Sequence, residues 1–371
     1  MNVLDLTREL LRFNTINPPG EEQACARHLG RMLEAGGFRV EEHEFQPGRT
    51  SLVARLGNSG AAPPICFTGH IDTVPLGGAP WTRDAFAGET ANGRLYGRGS
   101  TDMKSGVAAF VVAALAAAPR LAASPGVVLV ITAGEETACE GARHLVASGT
   151  LPRAGAIVVA EPTGNTACVG HKGALWLEAR TKGVTAHGSM PERGDNAVYK
   201  AARAVLMLEK YEFGAAPHPV LGRPTLNVGN VHGGLNVNSV PDAAVIGIDI
   251  RTIPSVKHAP LQAHLASHLG PDVALSAVAD AEGVWSDPAD PWVQQVTEVA
   301  ERVAGVSREV RAAPYFTDAS ALTPAMGNAP TVIIGPGETA LAHQTDEYCL
   351  VERLEQSVEI YAELMRRWCA I

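Results

Sequence analysis

The 371-residue sequence lacks an apolar run long enough to cross a membrane. The longest, Val107 to Ala118, is twelve residues and stops at Pro119, against the ~20 that a spanning helix needs. The opening stretch, MNVLDLTREL, has no basic region followed by an apolar one, so no secretory leader is read there. Cysteine is scarce, with six residues and no CxxC pair, which excludes a disulfide scaffold. The six thiols are expected to be buried bystanders, and the reading is of a soluble, cytoplasmic protein. Positive charge is also short: 30 Lys and Arg stand against 39 Asp and Glu, a net charge of −9. That balance gives no footprint for nucleic acid or an anionic membrane. The nucleophile-elbow pattern GxSxG is absent, and so is any local signature of a catalytic cysteine. The segment GRGSTDMKS looks superficially like a phosphate-binding loop, but Lys104 is not preceded by the glycine that such a loop requires. Nucleotide binding is therefore not expected, and the chain shows no repeat.

What is present is a globular composition, 46% apolar and 19% charged, on a chain long enough for two domains. Over the first 160 residues helical patterns alternate with short apolar runs. Ser51 to Leu56, Pro64 to Thr68, Val127 to Thr132 and Ala156 to Ala160 are predicted strands, the last three nearly continuous in apolar residues. Such runs suit strands covered by helices on both faces. Leu4 to Phe13, Glu21 to Ala35, Met103 to Ala118 and Ala142 to Ala147 supply the helices, which makes this region α/β with a mostly parallel sheet. Near residue 173 the rhythm changes. Ala174 to Thr181 alternates apolar and polar residues, as a half-exposed antiparallel strand would, and helices at Asn196 to Lys210 and Ala259 to Leu269 join strands at Thr225 to Val231, Val245 to Arg251 and Val273 to Val278. After a linker at Glu282 to Pro291, helices at Trp292 to Val303 and Val351 to Trp368 flank a strand at Thr331 to Ile334. The predicted organisation is residues 1–172 and 285–371 as one α/β domain, with a smaller α+β domain inserted over 173–284.

Three predicted strands end in polar residues that an apolar run does not need: ICFTG leads to His70 and Asp72, LVITAG to Glu135 and Glu136, and IVVA to Glu161. The carboxyl ends of parallel strands open onto one crevice, so these side chains should converge. Asp102 joins them from GRGSTD, just before a helix. Crowded carboxylates are prohibitive unless positive charge sits among them. Two divalent cations answer that need, and a His-plus-carboxylate set without thiolate suits Zn2+, with Co2+ or Mn2+ tolerated. Residues two apart on an extended segment face the same way, so Asp72 can orient His70 as a ligand.

The segments FTGHIDTVP, LYGRGSTDMKSGVAA, ITAGEE, AEPT, KG followed by TAHGS, and AHQTDE resemble the zinc-dependent family of aminoacylases, acetylornithine deacetylases, succinyl-diaminopimelate desuccinylases and glutamate carboxypeptidases. The matches run in family order from about residue 65 to 347. The resemblance implies a di-metal hydrolase domain with an inserted lid or dimerisation domain. It implies that His70, Asp102 and Glu161 hold one zinc, that Asp102, Glu136 and His343 hold the other, and that Glu135 is the general base. It further implies that the peptide after Asp102 is cis, and that His187 reaches the active site of a second subunit to donate to the oxyanion, so the protein would be a homodimer. Asn238 and Arg251 resemble contacts to a substrate carboxylate, which a guanidinium grips with two parallel hydrogen bonds. The loops Tyr315 to Ser320 and Gly335 to Glu338 are expected to line the pocket, the glycines letting backbone amides approach a ligand. The implied reaction is metal-dependent hydrolysis of the amide of a small N-acyl amino acid. A dipeptidase or glutamate-type carboxypeptidase with the same chemistry is the alternative, and an inactive binding protein on the same fold is the second.

Overall fold

The computed structural model describes residues 2–57, 60 and 62–371. Their contacts divide the chain into two units, one of Met1–Gly170, Val284–Ala313 and Thr317–Ile371, the other of His171–Gly283 with Pro314–Phe316.

The first unit is built on a nine-stranded sheet. Its centre is four parallel strands in the order Val127–Thr132, Ile65–His70, Ala156–Val159 and Thr331–Ile333. All four are buried along their length, as their unbroken apolar sequences require. Arg39–Gln46 and Arg49–Leu56 extend the sheet antiparallel on one side, and Cys168–His171 does so on the other. Arg39–Gln46 carries Arg, three Glu and a His in eight residues and lies at the edge with one face in solvent, so no apolar run marks it. The short sheet of Thr90–Ala91, Arg94–Tyr96 and Tyr348–Leu350 is likewise unmarked.

The helix Lys104–Leu121 is long and apolar enough to cross a membrane by length and composition, but most of it is buried in the core of this unit. It packs on the C-terminal helix Val351–Cys369. Pro119, expected to end the helix, sits inside its last turn. There a proline forfeits only the bond its own N–H would make one turn back, and packing holds the two residues beyond it. Gly106, in the first turn, lies so close to the strand end beside it that a Cβ would stand 2.2 Å from the Ala160 carbonyl oxygen.

The second unit is a four-stranded antiparallel sheet, ordered Thr225–Gly233, Ala243–Thr252, Gly173–Lys182 and Val273–Ala281. Helices Ala197–Glu209 and His258–Leu269 cover one face, burying Leu175, Leu177, Ile246, Ile248, Ile250, Leu261 and Leu265. The alternation along Ala243–Thr252 fixes which side chains stay on the open face, Asp249 and Arg251 among them. Asn196 caps the first of these helices by accepting from the Tyr199 N–H at 3.1 Å. Pro314–Phe316 belongs to this unit, an excursion that a boundary at residue 285 does not anticipate; Phe316 packs edge-on against Trp176, with ring centres 6.1 Å apart.

Gly106→Ala should destabilise the protein even though alanine favours helix by ~1 kcal/mol, because the added methyl meets rigid backbone, a type of overpacking that costs about 1–3 kcal/mol or more. Urea unfolding of the two proteins checks it, and an equal or raised midpoint for the alanine variant would contradict the close packing.

Candidate active site

The polar ends of the parallel strands meet as the topology requires. His70 is the last residue of Ile65–His70, Glu135 and Glu136 follow Val127–Thr132, and Glu161 follows Ala156–Val159. Asp102 stands just before the helix Lys104–Leu121, and the Asp102–Met103 peptide is cis. His70 Nε2 lies 3.1 Å from Asp102 Oδ1 and 3.8 Å from Glu161 Oε1. On the other side, His343 Nε2 is 3.4 Å from Asp102 Oδ2 and 3.2 Å from the Glu136 carboxylate. Asp102 therefore offers one oxygen to each imidazole, with a further carboxylate behind each. His343 has φ of 64°, a left-handed conformation rare outside glycine and enriched at functional positions.

Asp72 is fully buried and does more than orient a ring. His70 Nδ1 is 3.0 Å from the Asp72 carbonyl oxygen and 3.5 Å from its carboxylate, so the backbone is the closer partner that turns Nε2 toward Asp102. The Asp72 carboxylate instead accepts the N–H groups of Glu135 at 3.1 Å and Glu136 at 3.2 Å, and Asn17 Nδ2 at 2.9 Å. It thus fixes the turn carrying both glutamates.

The donor set fits divalent metal. One ligand atom each from His70, Asp102 and Glu136 lies within 4.8 Å of the others, the spacing of groups around a shared ion. The electrostatics point the same way. Burial raises the Glu135 and Glu161 carboxyls well above the usual range, and neighbouring carboxylates add to it. Glu136 is raised for the same reasons. Asp318, buried nearby, is pushed up to about 6 by burial. Asp102 and Glu136 push His343 up to about 10, and His70 is raised well above 6.5 because Asp102 and Asp72 outweigh its burial. Raised proton affinity on the glutamates and histidines, beside a lowered one on Asp102, is how an excess of buried negative charge around two imidazoles behaves; cations of charge +2 would relieve it without protonating the ligands.

The residues placed in the second unit are arranged differently. His187 and Asn238 are both exposed and adjacent, since His187 bridges Ser239 and the Gly188 N–H donates to the Asn238 carbonyl at 2.7 Å. The Ser189 N–H donates to His187 Nδ1, so the neutral ring carries its proton on Nε2. Arg251 is turned onto Asp249, Nε to Oδ1 at 2.9 Å and Nη2 to Oδ2 at 3.2 Å, and lies over the Trp176 ring.

Several residues at the first unit's site escape local reading. Asn17 joins Asp72 to Thr137, donating to each at 2.9 Å, from a segment that reads only as a Pro-Pro-Gly breaker. Asp318 immediately precedes a short helix, Ala319–Ala325, and takes the Thr132 hydroxyl on Oδ2 at 2.5 Å. The glycines of Gly335 to Glu338 serve the fold: a Cβ on Gly335 would meet the Ala160 carbonyl oxygen at 2.2 Å, and one on Gly337 the Thr101 carbonyl oxygen at 2.1 Å. The Gly335 N–H donates to Thr163 Oγ1, so the close approach expected for a ligand is made to protein backbone.

Comparison with known proteins agrees with this geometry. Residues 66–367 match the family described as peptidase family M20/M25/M40. A probable succinyl-diaminopimelate desuccinylase from Staphylococcus epidermidis is 30% identical over 395 residues, covering 98% of this chain and 96% of that protein. An acetylornithine deacetylase from Proteus mirabilis is 30% identical over 389 residues, covering 99% and 96%. The M20 family metallo-carboxypeptidase Sso-CP2 from Sulfolobus solfataricus has the same fold, with a TM-score of 0.81 at 18% identity and full coverage of both chains.

Equilibrium dialysis against Zn2+ should find two tight ions per wild-type chain. His70→Ala and His343→Ala should each remove one, and Asp102→Ala both. Equal stoichiometry in all four proteins would refute the arrangement around Asp102.

Proposed function

This chain belongs to peptidase family M20/M25/M40, and from that membership and the site around Asp102 we propose that it hydrolyses the amide bond of a small N-acyl amino acid, of the deacetylase or desuccinylase type. The observation that carries the reading is the placement of the two Asp102 oxygens, one toward each imidazole. His70, Asp102 and Glu161 would hold one divalent ion and Asp102, Glu136 and His343 the other, two Zn2+ with Co2+ or Mn2+ as substitutes. When bound, such ions polarise an amide carbonyl and make water nucleophilic at neutral pH.

The chain's own residues supply the rest. Glu135 is nearly fully buried and held in place by its N–H on Asp72. It takes the proton from the attacking water and returns it to the leaving nitrogen as the C–N bond breaks, giving a free carboxylic acid and an amine. Burial raises its proton affinity, the direction needed by a base that must then act as an acid. His187, with its proton on Nε2, is preset to donate to the developing oxyanion. Asn238 beside it, and Arg251, would bind a substrate carboxylate. The names of the desuccinylase and deacetylase relatives favour an acyl amino acid; a dipeptidase or glutamate-type carboxypeptidase with the same chemistry is the second reading, favoured by the metallo-carboxypeptidase likeness.

A homodimer is part of this proposal. The second unit leaves Leu235 and Val237 fully exposed, together with Val231, Tyr199 and Leu206, apolar groups that a second copy would cover. Cytoplasmic placement is supported by six cysteines that are all buried and unpaired.

N-acetyl and N-succinyl amino acids assayed beside dipeptides should release free amine, with loss of activity on chelation and recovery on adding Zn2+ or Co2+. Activity indifferent to chelation would end the proposal. Glu135→Gln should keep the metal content of wild type while turnover drops by several powers of ten; near-normal turnover would remove Glu135 from its role. His187→Ala should lower kcat about 10²–10³-fold, as loss of one oxyanion donor does, with both ions still bound. Mixing inactive His187→Ala with inactive Glu135→Gln should restore part of the activity if the histidine serves the neighbouring subunit, and no recovery would place it elsewhere.

A further inference from the structure

Directly behind Asp102 lies a second charged pair that the proposed reaction does not use. Glu347 and Arg98 are both essentially inaccessible to solvent. Glu347 Oε1 accepts three backbone N–H groups, from Gly99 at 3.1 Å, Thr101 at 2.7 Å and Asp102 at 3.0 Å. Its other oxygen takes Arg98 Nη1 at 2.5 Å. The guanidinium in turn donates to the carbonyls of Pro75 at 3.0 Å, Gln344 at 3.3 Å and His343 at 3.5 Å. One ion pair therefore grips the backbone of Asp102 and of His343, residues 241 positions apart, and that of the loop following His70 and Asp72.

Stability alone does not account for such a pair. Burying a carboxylate and a guanidinium costs several kcal/mol per ion, and apolar residues of similar volume often serve a core as well or better. What the pair supplies and apolar residues cannot is a fixed set of hydrogen bonds, radiating from one point to three loops with no regular structure of their own. From this we infer that Glu347 and Arg98 are positioning residues, a clasp that sets the spacing between the Asp102 carboxylate and the His343 imidazole and so tunes the affinity of the site for its cations. The inference rests on the proposed metal site.

Glu347→Gln tests it at constant volume. A glutamine can accept the three N–H groups only by pointing its NH2 at Arg98, donor against donor, so one half of the clasp must open. Arg98→Lys is the second variant, since an ammonium can keep the contact to Glu347 but cannot reach three separated carbonyls. Tyr361→Phe is the control: it deletes a buried bond, Tyr361 Oη to the Ile334 carbonyl at 2.6 Å, that touches no proposed ligand. Three quantities are read on the full-length proteins: the Zn2+ dissociation constants by competition with a chromogenic chelator, the Zn2+ concentration that half-restores activity, and the melting temperature of the metal-free form. Both clasp variants should bind Zn2+ about 10–100-fold more weakly, the usual effect of losing a partner behind the ligands, and should recover turnover at high Zn2+. Tyr361→Phe should melt earlier with its Zn2+ affinity unchanged. Wild-type affinity in either clasp variant would overturn the inference, as would failure of both to fold, which would make the pair a core element. Wild-type protein that binds no divalent ion would instead overturn the proposed metal site itself.

Discussion

Carboxylates gathered in a dry crevice repel one another, and that repulsion is the constraint to which the rest of the first unit answers. Asp72, Asp102, Glu135, Glu136, Glu161 and Asp318 all act on one another or on His70. Left to themselves they would spread apart, loosening the loops that carry them, or take up protons and cease to be ligands. They are held by backbone. Four of them, Asp72, Glu135, Glu136 and Glu161, follow parallel strands whose apolar lengths are locked in the sheet, while Asp72 accepts two main-chain N–H groups and Glu347 three, which spread a buried charge over fixed dipoles.

Close packing does the remaining work. Gly106 and Gly335 both let main chain approach the Ala160 carbonyl, on the residue before Glu161, and Gly337 lets it approach the Thr101 carbonyl, on the residue before Asp102. Two proposed ligands are thereby wedged from behind by positions where no side chain fits. Precision on this scale comes from rigid backbone rather than from the ligands' own contacts, and it is why a site poor in internal attraction can be kept ready for cations.

The sheet and the five strand-end acids and histidine were legible in the sequence because each follows an apolar run whose direction in a parallel sheet is fixed. His70, Asp72, Glu135, Glu136 and Glu161 are local facts of that kind. His343 is not: it sits in an irregular segment, and only resemblance to a family singled it out. Asn17, Arg98 and Glu347 escaped altogether and Asp318 was reached only as an unassigned member of the loop Tyr315 to Ser320, since their partners lie from 55 to about 250 positions away and nothing in the neighbouring residues encodes the meeting. The charged edge strand Arg39–Gln46 was lost for a related reason, because an edge strand needs no apolar signature, and Pro119 misled because a proline in a final turn forfeits little.

The two units prepare their polar groups in opposite ways. In the first, side chains are crowded and await neutralisation; in the second, the groups assigned to substrate already have partners. His187 is held by Ser189 through Nδ1, which leaves the ring hydrogen on Nε2. Arg251 presents a harder case, with Nε and one Nη2 hydrogen turned to Asp249. Its two Nη1 hydrogens and the second on Nη2 remain, enough for an end-on bidentate grip on a carboxylate without releasing Asp249. Asp249 then steadies the plane of the guanidinium while cancelling part of its charge. On the proposed reading, a carboxylate bound there would be chosen more by its orientation than by net attraction, which is how a site discriminates between acids of similar charge.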